Sequence, residues 1–486
     1  MKWPFASGAG TIARRRALFI FGVLLLSFVV RGLTANFVRA HLSDPGWFQS
    51  GSYAIFDRQA QSILDGRASI FWIDDPSWTE AAVYPPGYPL WLAFLYGTSG
   101  ARSVVVVQNI QWALDVLSVL LIIGIGVTAY DWRVGLCAGC LYALSPLLAL
   151  YGATPLADAP TNWVVLGGVW MLLLAMKRRS ARWAFGAGLL LGASCWLRAN
   201  ALLLVVWWAA ALLLLVRDDW RARLRLSLTM TLGALLLIAP VMIRNAVAFR
   251  AFVPTGLGTG TNLWEGIGET ERAAEFGAVY GDARLIEQER AEMNLPPDAV
   301  LRLYWPNGVE RDRARTRKAL RVIAAHPVWY AGVMARRIWG MLKYSGAPLP
   351  YYGSAGVNIT ARKTLPDGWQ GGIVALGANL LGMVQSVFRY VALPLIICGG
   401  LLALRRDGRT TWLLLTTVLY YLLAGSALHM EIRYGLPMQS VLLVLAAVAL
   451  SHLGEIAYAA ILARRRTRSR EAKPASEEGE RVKAEG

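Results

Sequence analysis

SVVVVQNIQWALDVLSVLLIIGIGVTA, residues 103–129, is an apolar run interrupted by a single ionisable side chain, Asp115. A helix on the surface of a soluble protein would carry a charged face, and this stretch holds a single charge. At 1.5 Å rise per residue it can cross the roughly 30 Å hydrocarbon core of a bilayer, which needs about 20 apolar residues. Working outward, runs of the same kind fall at 17–36, 134–152, 158–176, 183–199, 200–216, 226–244, 383–404, 411–428 and 436–460, ten expected spans in all. The chain as a whole agrees: of 486 residues, 56% are hydrophobic and 16% charged, with a mean hydropathy of +0.43. Soluble domains average about 45–50% apolar and about 25% charged. A soluble globular protein and an intrinsically disordered one are both excluded. The four cysteines, Cys137, Cys140, Cys195 and Cys398, all lie within apolar runs, so no disulfide framework is implied.

The formal charge of +18 would suggest nucleic acid if the basic residues shared one soluble face. Instead they separate the spans, in blocks such as Arg14–Arg16, Lys177–Arg182, Arg217–Arg225, Arg405–Arg409 and Arg464–Arg470. With the N-terminus in the cytoplasm, the inside blocks hold 21 Lys and Arg and the short outside links hold 3. That asymmetry specifies the orientation and puts both termini inside. Reading 371–404 as two helices would invert the end of the chain and expel Arg405, Arg406 and Arg409, so one span with an interfacial lead-in is expected. The first span is too long for a signal peptide and no A-x-A-like site follows it, so it is expected to be permanent.

The resulting plan is a cytoplasmic N-terminus and first span over 1–36, a first outer loop over 37–102, spans two to seven over 103–244, a large outer loop over 245–382, and spans eight to ten over 383–463. A charged tail over 464–486 is expected to be disordered. No internal repeat is visible, which counts against transporters built from duplicated halves. Long outer loops usually carry function. In the first, Asp57, Ala60 and Leu64 have helical spacing with Gly66 as C-cap, which predicts a short surface helix preceded by Asp44. Pro85, Pro86 and Pro89 then impose an extended approach to a second short helix, with Tyr84, Tyr88 and Trp91 at interfacial depth.

This order of helix, acidic loop with surface helix, Pro-Pro-Gly re-entry and further spans resembles the GT-C class of polyprenyl-phosphate-dependent glycosyltransferases. More narrowly, it is similar to the protein mannosyltransferase and aminoarabinose transferase relatives. The matching pieces are Arg31, Ala60 to Gly66, YPPGYPLWLA at Tyr84–Ala93, LRAN at Leu197–Asn200, PVMIRN at Pro240–Asn245, GTNLWEG at Gly260–Gly266 and RYGLP at Arg433–Pro437. The resemblance runs over most of 15–455 and implies an all-α, GT-C-like membrane bundle. It also implies a first-loop Asp as general base just ahead of the surface helix. The expected place falls near Ser52, so Asp44 fits with an insertion and Asp57 fits one turn inside the helix.

Asp158, at the mouth between the third and fourth spans, is a carboxylate at membrane depth, where charge is costly and usually functional. Relatives of the family carry Glu or Asp there. Asp115, mid-span, is expected to be structural and to pair with Arg31 or Arg198. Because a lipid phosphate leaves readily, the chemistry needs a base for the acceptor hydroxyl and cations near the departing phosphate. The candidate cations are Arg244 beside Asn245, Arg336, Arg337, Lys343, and Arg433 beside Tyr434. Gly256, Gly258 and Gly260 read as a flexible substrate loop ahead of Asn262, Trp264 and Glu265. Cys137 and Cys140 read as packing residues, and His429 with Glu431 supplies too few ligands for a compelling metal site.

The reading is a membrane glycosyltransferase that takes a sugar from a polyprenyl-phosphate donor at the outer face of a bacterial inner membrane. The acceptor is a hydroxyl of a protein, lipid or glycan; a divalent metal is possible, and no nucleic acid is involved. A lipid-linked sugar flippase is the rival from another class, and an O-antigen ligase or polymerase the rival among enzymes.

Overall fold

The structure, a computed structural model, describes residues 6–40, 42, 52–67, 84–342, 371–429 and 432–471. All ten apolar runs are helical, and among the described residues no β-strand occurs, only an isolated bridge between Arg302 and Trp305. The bundle comprises α1 (Ala6–Ala40), α4 (Val104–Ala129), α5 (Trp132–Leu144), α6 (Pro146–Ala153), α7 (Asp158–Arg178), α8 (Ala181–Leu197), α9 (Leu204–Leu215), α10 (Trp220–Phe249), α16 (Gly372–Ser426) and α17 (Leu436–Glu471). Two short helices, α2 (Ser52–Leu64) and α3 (Gly87–Ser99), pack on each other at one end of it. A further layer at the same end holds α11 (Thr259–Gly268), α12 (Ala273–Phe276), α13 (Asp282–Glu292), α14 (Gly308–Ala325) and α15 (Pro327–Leu342). This is called the loop end below, and the opposite one, where the arginine blocks lie, the basic end.

At the basic end, aspartates start the helices. Asp131 accepts from the backbone N–H of Arg133 and Val134 at 2.6 and 3.0 Å, and Asp219 from that of Ala222 at 3.1 Å. Each satisfies donors that a helix start leaves open. Asp407, with non-helical φ −151° and ψ 85°, interrupts α16 and caps its second half through the Thr410 N–H at 3.1 Å. The interruption separates the two runs expected at 383–404 and 411–428. A 50° bend between Ala375–Phe388 and the rest of α16 marks off the expected lead-in.

Helices approach closely where glycine faces backbone. A Cβ at Gly188 of α8 would stand 1.9 Å from the Met230 carbonyl of α10, and one at Gly399 of α16 would stand 1.9 Å from the Leu445 carbonyl of α17. Five described helices are long and apolar enough to span a membrane alone, or up to seven with the bent pairs. The shortfall from ten has local causes: α8 and α9 are shorter than a full crossing, the run at 134–152 breaks by 61° between α5 and α6, where Pro146 follows Ser145, and the runs at 383–404 and 411–428 share the single bent helix α16. Arg31 donates to the Ala143 carbonyl just ahead of this break at 3.3 Å and to Asp115 at 2.5 Å. Asp115 also accepts from the Trp163 indole at 2.6 Å. The buried pair therefore ties α1, α4, α5 and α7 together, the structural role expected for Asp115.

One boundary changes. Helix α17 continues through Arg464–Arg470 to Glu471, so the tail expected to be disordered from 464 begins as helix. Alternating polar charge does not stop a helix that an apolar span has already nucleated.

Candidate functional site

Gly87 opens α3 against the end of α8: a Cβ there would meet the Trp196 carbonyl at 2.6 Å, so the Pro-Pro-Gly turn lies directly on the LRAN turn. Pro86 already has helical angles, so the extended approach expected through both prolines ends before it. Behind this contact, fully buried Tyr88 donates to Gln111 at 3.1 Å, and Gln111 donates to the Thr154 carbonyl at 2.5 Å. Gln108 donates to the carbonyls of Ala35 and Ala153, each at 3.1 Å. Two glutamines of α4 thus hold the turn that delivers Asp158 to the start of α7.

Asp158 is 3% exposed. Its Oδ1 accepts from Arg198 Nη1 at 2.6 Å, while Oδ2 has no hydrogen-bond partner among the described residues. A buried carboxylate oxygen without a donor is costly in a finished core and ordinary in a site that a ligand completes. The Arg198 guanidinium lies 4.4 Å from the Tyr434 ring centre, and that of Arg433 lies 5.5 Å from the same ring. Asn200 donates to the Tyr434 carbonyl at 3.3 Å, and Tyr420 donates to the Asn200 carbonyl. One carboxylate and two guanidiniums therefore gather around one tyrosine, an arrangement that can orient a hydroxyl and hold a phosphate.

Arg244 and Asn245 lie near the end of α10. Arg244 is 5% exposed and meets no carboxylate or hydrogen-bond acceptor among the described residues. Asn245 donates to the Val253 carbonyl at 3.0 Å, and its Oδ1 has no partner among the described residues. A buried, unmatched guanidinium is what an anionic ligand would neutralise.

Other expected residues have structural partners. Asp57 accepts from Tyr96 at 2.9 Å and from Arg102 Nε at 3.0 Å, with a second contact to Arg102 Nη2, which fastens α2 to α3 and the start of α4. Arg337 is 8% exposed and donates to the carbonyls of Ser426, at 3.0 Å, and Gly266, besides meeting Glu269 at 3.3 Å. Arg336 forms an exposed pair with Glu271 at 3.1 Å.

The glycine-rich segment is a packed element. Gly258, with φ +115°, starts α11, and a Cβ on Gly260 would stand 2.0 Å from the Asp312 carbonyl of α14. Asn262 holds the Gly258 carbonyl at 2.7 Å, and Trp264 enters the core of the loop-end layer and donates to Gln288 at 3.3 Å. Glu265 is 6% exposed, and its Oε1 has no hydrogen-bond partner among the described residues. Asp44, Lys343 and Glu431 lie outside the described residues.

Arg198 and Asn200 are the residues that sequence reasoning underused. The LRAN turn was visible, but its pairing with Asp158 needs the packing of α7 on α8. Among the described residues no three His, Cys, Asp or Glu side chains converge as metal ligands.

A family model described as dolichyl-phosphate-mannose-protein mannosyltransferase matches residues 83–243, about a third of the chain, including Tyr84, Asp158 and Arg198. No curated protein sequence matches the chain significantly. Among solved structures, the Archaeoglobus fulgidus oligosaccharyltransferase tethered to an acceptor peptide containing the NVT sequon aligns with a TM-score of 0.50 at 13% identity, covering 90% of this chain and 50% of that one. The same archaeal enzyme in complex with an inhibitory peptide and a dolichol-phosphate aligns with a TM-score of 0.47 at 14% identity, covering 92% and 51%. The chain spans about half the length of that enzyme, and the likeness is one of fold. The GT-C-like helical bundle that the motifs resemble is the fold observed.

Proposed function

We propose that this membrane-embedded, GT-C-like chain is a glycosyltransferase that moves a sugar from a polyprenyl-phosphate donor to a hydroxyl of a protein, lipid or glycan. The observation that carries the proposal is Asp158, buried, with Arg198 on one oxygen and the other oxygen unspent, inside the segment that matches the mannosyltransferase family. In the reaction the sugar–phosphate C–O bond breaks and the phosphate keeps the electron pair. A new C–O bond forms to the acceptor, whose proton passes to a carboxylate. Both oxygens of Asp57 are engaged by Arg102 and Tyr96, which leaves Asp44 as the better first-loop base. Asp158 orients the acceptor, the base or a divalent ion, and Arg433 and Arg244 neutralise the departing phosphate. The positive-inside count supports placing this loop end at the outer face of a bacterial inner membrane.

The test is incubation of the purified protein in lipid with labelled polyprenyl-phosphate sugars and membrane extract, wild type beside Asp158→Asn. Sugar loss from the donor should fall by at least about a hundredfold in the variant, the range seen when a positioned acid–base group is removed. Equal turnover in both proteins overturns the assignment. The break between α5 and α6 beside the Arg31–Asp115 pair is a feature a lipid-linked sugar transporter would also have. Donor that crosses liposomes unconsumed would establish that reading instead.

A further inference from the structure

Helix α9 leaves the Asn200 turn at the loop end and stops at Leu215, at the basic end. Between it and the second half of α16 runs an apolar groove of about 460 Å³, walled by Val206, Ala210 and Leu214 on one side and by Trp412 and Thr416 on the other. Val206 is 64% exposed, Leu214 75% and Trp412 48%, so the groove opens on the lipid-facing side of the bundle. Its two ends differ in charge. Toward the loop end the neighbouring groups are aromatic, Trp207 packing on Tyr420 with ring centres 6.1 Å apart. At the basic end the Arg409 guanidinium stands 3.5 Å from the Leu215 carbonyl, on the groove wall itself. Arg217, two residues beyond Leu215, is exposed and meets no carboxylate among the described residues.

The geometry points to a binding site for an anionic phospholipid, its acyl chain along α9 and α16 and its phosphate between Arg217 and Arg409. The charge distribution chooses this occupant over a lipid whose phosphate sits at the loop end. Such a lipid would lay its chain in the same groove and leave both guanidiniums at its apolar tail. A second copy docked groove to groove would supply no anion, because no described Asp or Glu lines the groove. Two guanidiniums near a lipid headgroup favour an anionic over a zwitterionic lipid by roughly thirtyfold.

The full-length protein would be incubated with equimolar phosphatidylglycerol and phosphatidylcholine of identical chains, and the retained lipid identified by native mass spectrometry. Wild type should retain phosphatidylglycerol about thirtyfold over phosphatidylcholine. In Arg217→Gln with Arg409→Gln, both surface changes, the ratio should fall to near one. Ala210→Trp, which fills the groove from an exposed position, should lose both lipids. No preference in wild type, or a preference that survives the double variant, overturns the assignment. So does stoichiometric displacement of phosphatidylglycerol by polyprenyl phosphate, which would make the groove part of a donor site.

Discussion

Glu265 stays protonated well above the usual carboxylate range and loses its proton only around pH 7. Burial pushes its carboxyl up to about 7, the negative charge of Asp282 adds to the rise, and His429 opposes it. A carboxyl whose folded value lies above its unfolded one binds more protons in the folded state, so stability falls as pH rises between the two values. The cost is small at pH 5 and complete above about pH 7. Glu265→Gln should therefore leave thermal stability nearly unchanged at pH 5 and raise it at pH 8, by up to about 3 kcal/mol. Unfolding scans in detergent at both pH values check this, and an equal effect at each would show that Glu265 is ionised throughout. Arg198 tests a different property. Lysine keeps its charge but loses the planar fork that meets Asp158 and stacks on Tyr434. Arg198→Lys should lower sugar transfer by roughly ten- to a hundredfold, the worth of a charged hydrogen bond. Full activity would reduce Arg198 to a simple counter-ion.

Among the elements, helix pairs close on glycine, and that makes a sharp prediction. At Gly188 a methyl group would collide with backbone of α10, which cannot rotate away, whereas a Cβ on Gly22 of α1 would meet nothing within 4 Å. Gly188→Ala should cost about 1–3 kcal/mol and lower the yield of folded protein, as overpacking does. Gly22→Ala should be neutral or slightly stabilising, since alanine is the better helix former. Thermal inactivation of the two variants side by side decides it. The elements themselves were largely legible. Apolar runs marked the helices of the bundle, Gly66 ended α2, and the Pro-Pro-Gly turn started α3. What escaped was pairing across helices. Asp115 had two arginines, Arg31 and Arg198, in reach of a sequence argument and Asp158 had none assigned, and only the packing of α1 on α4 and of α7 on α8 gives Arg31 to one and Arg198 to the other. The layer at 259–342 escaped for a related reason. Its short helices are stitched by long-range polar contacts, with Glu289 held between Arg311 and Arg315, and Trp264 spent on its core rather than on a substrate.

Over the whole molecule, the two ends of the bundle differ in the work their carboxylates do. At the basic end Asp131 and Asp407 cap helices and face Arg406, at 2.5 Å, and Lys177, at 3.7 Å. At the loop end Asp158 keeps an oxygen unspent. A reaction at the loop end on a lipid-linked sugar fixes which side of the membrane receives the product, so topology and function stand or fall together. The excess of Lys and Arg in the short blocks beside the spans predicts the basic end inside. In a variant whose native cysteines are replaced, Gly408→Cys places a thiol at the basic end, where a side chain meets nothing within 4 Å. Arg284→Cys places one on an exposed position of α13. A membrane-impermeant maleimide applied to intact cells should label the thiol at 284 directly and the thiol at 408 only after permeabilisation. The reverse pattern would put Asp158 and Arg198 on the cytoplasmic side, where a sugar could come from a soluble nucleotide donor, and a lipid-linked donor would lose its topological reason.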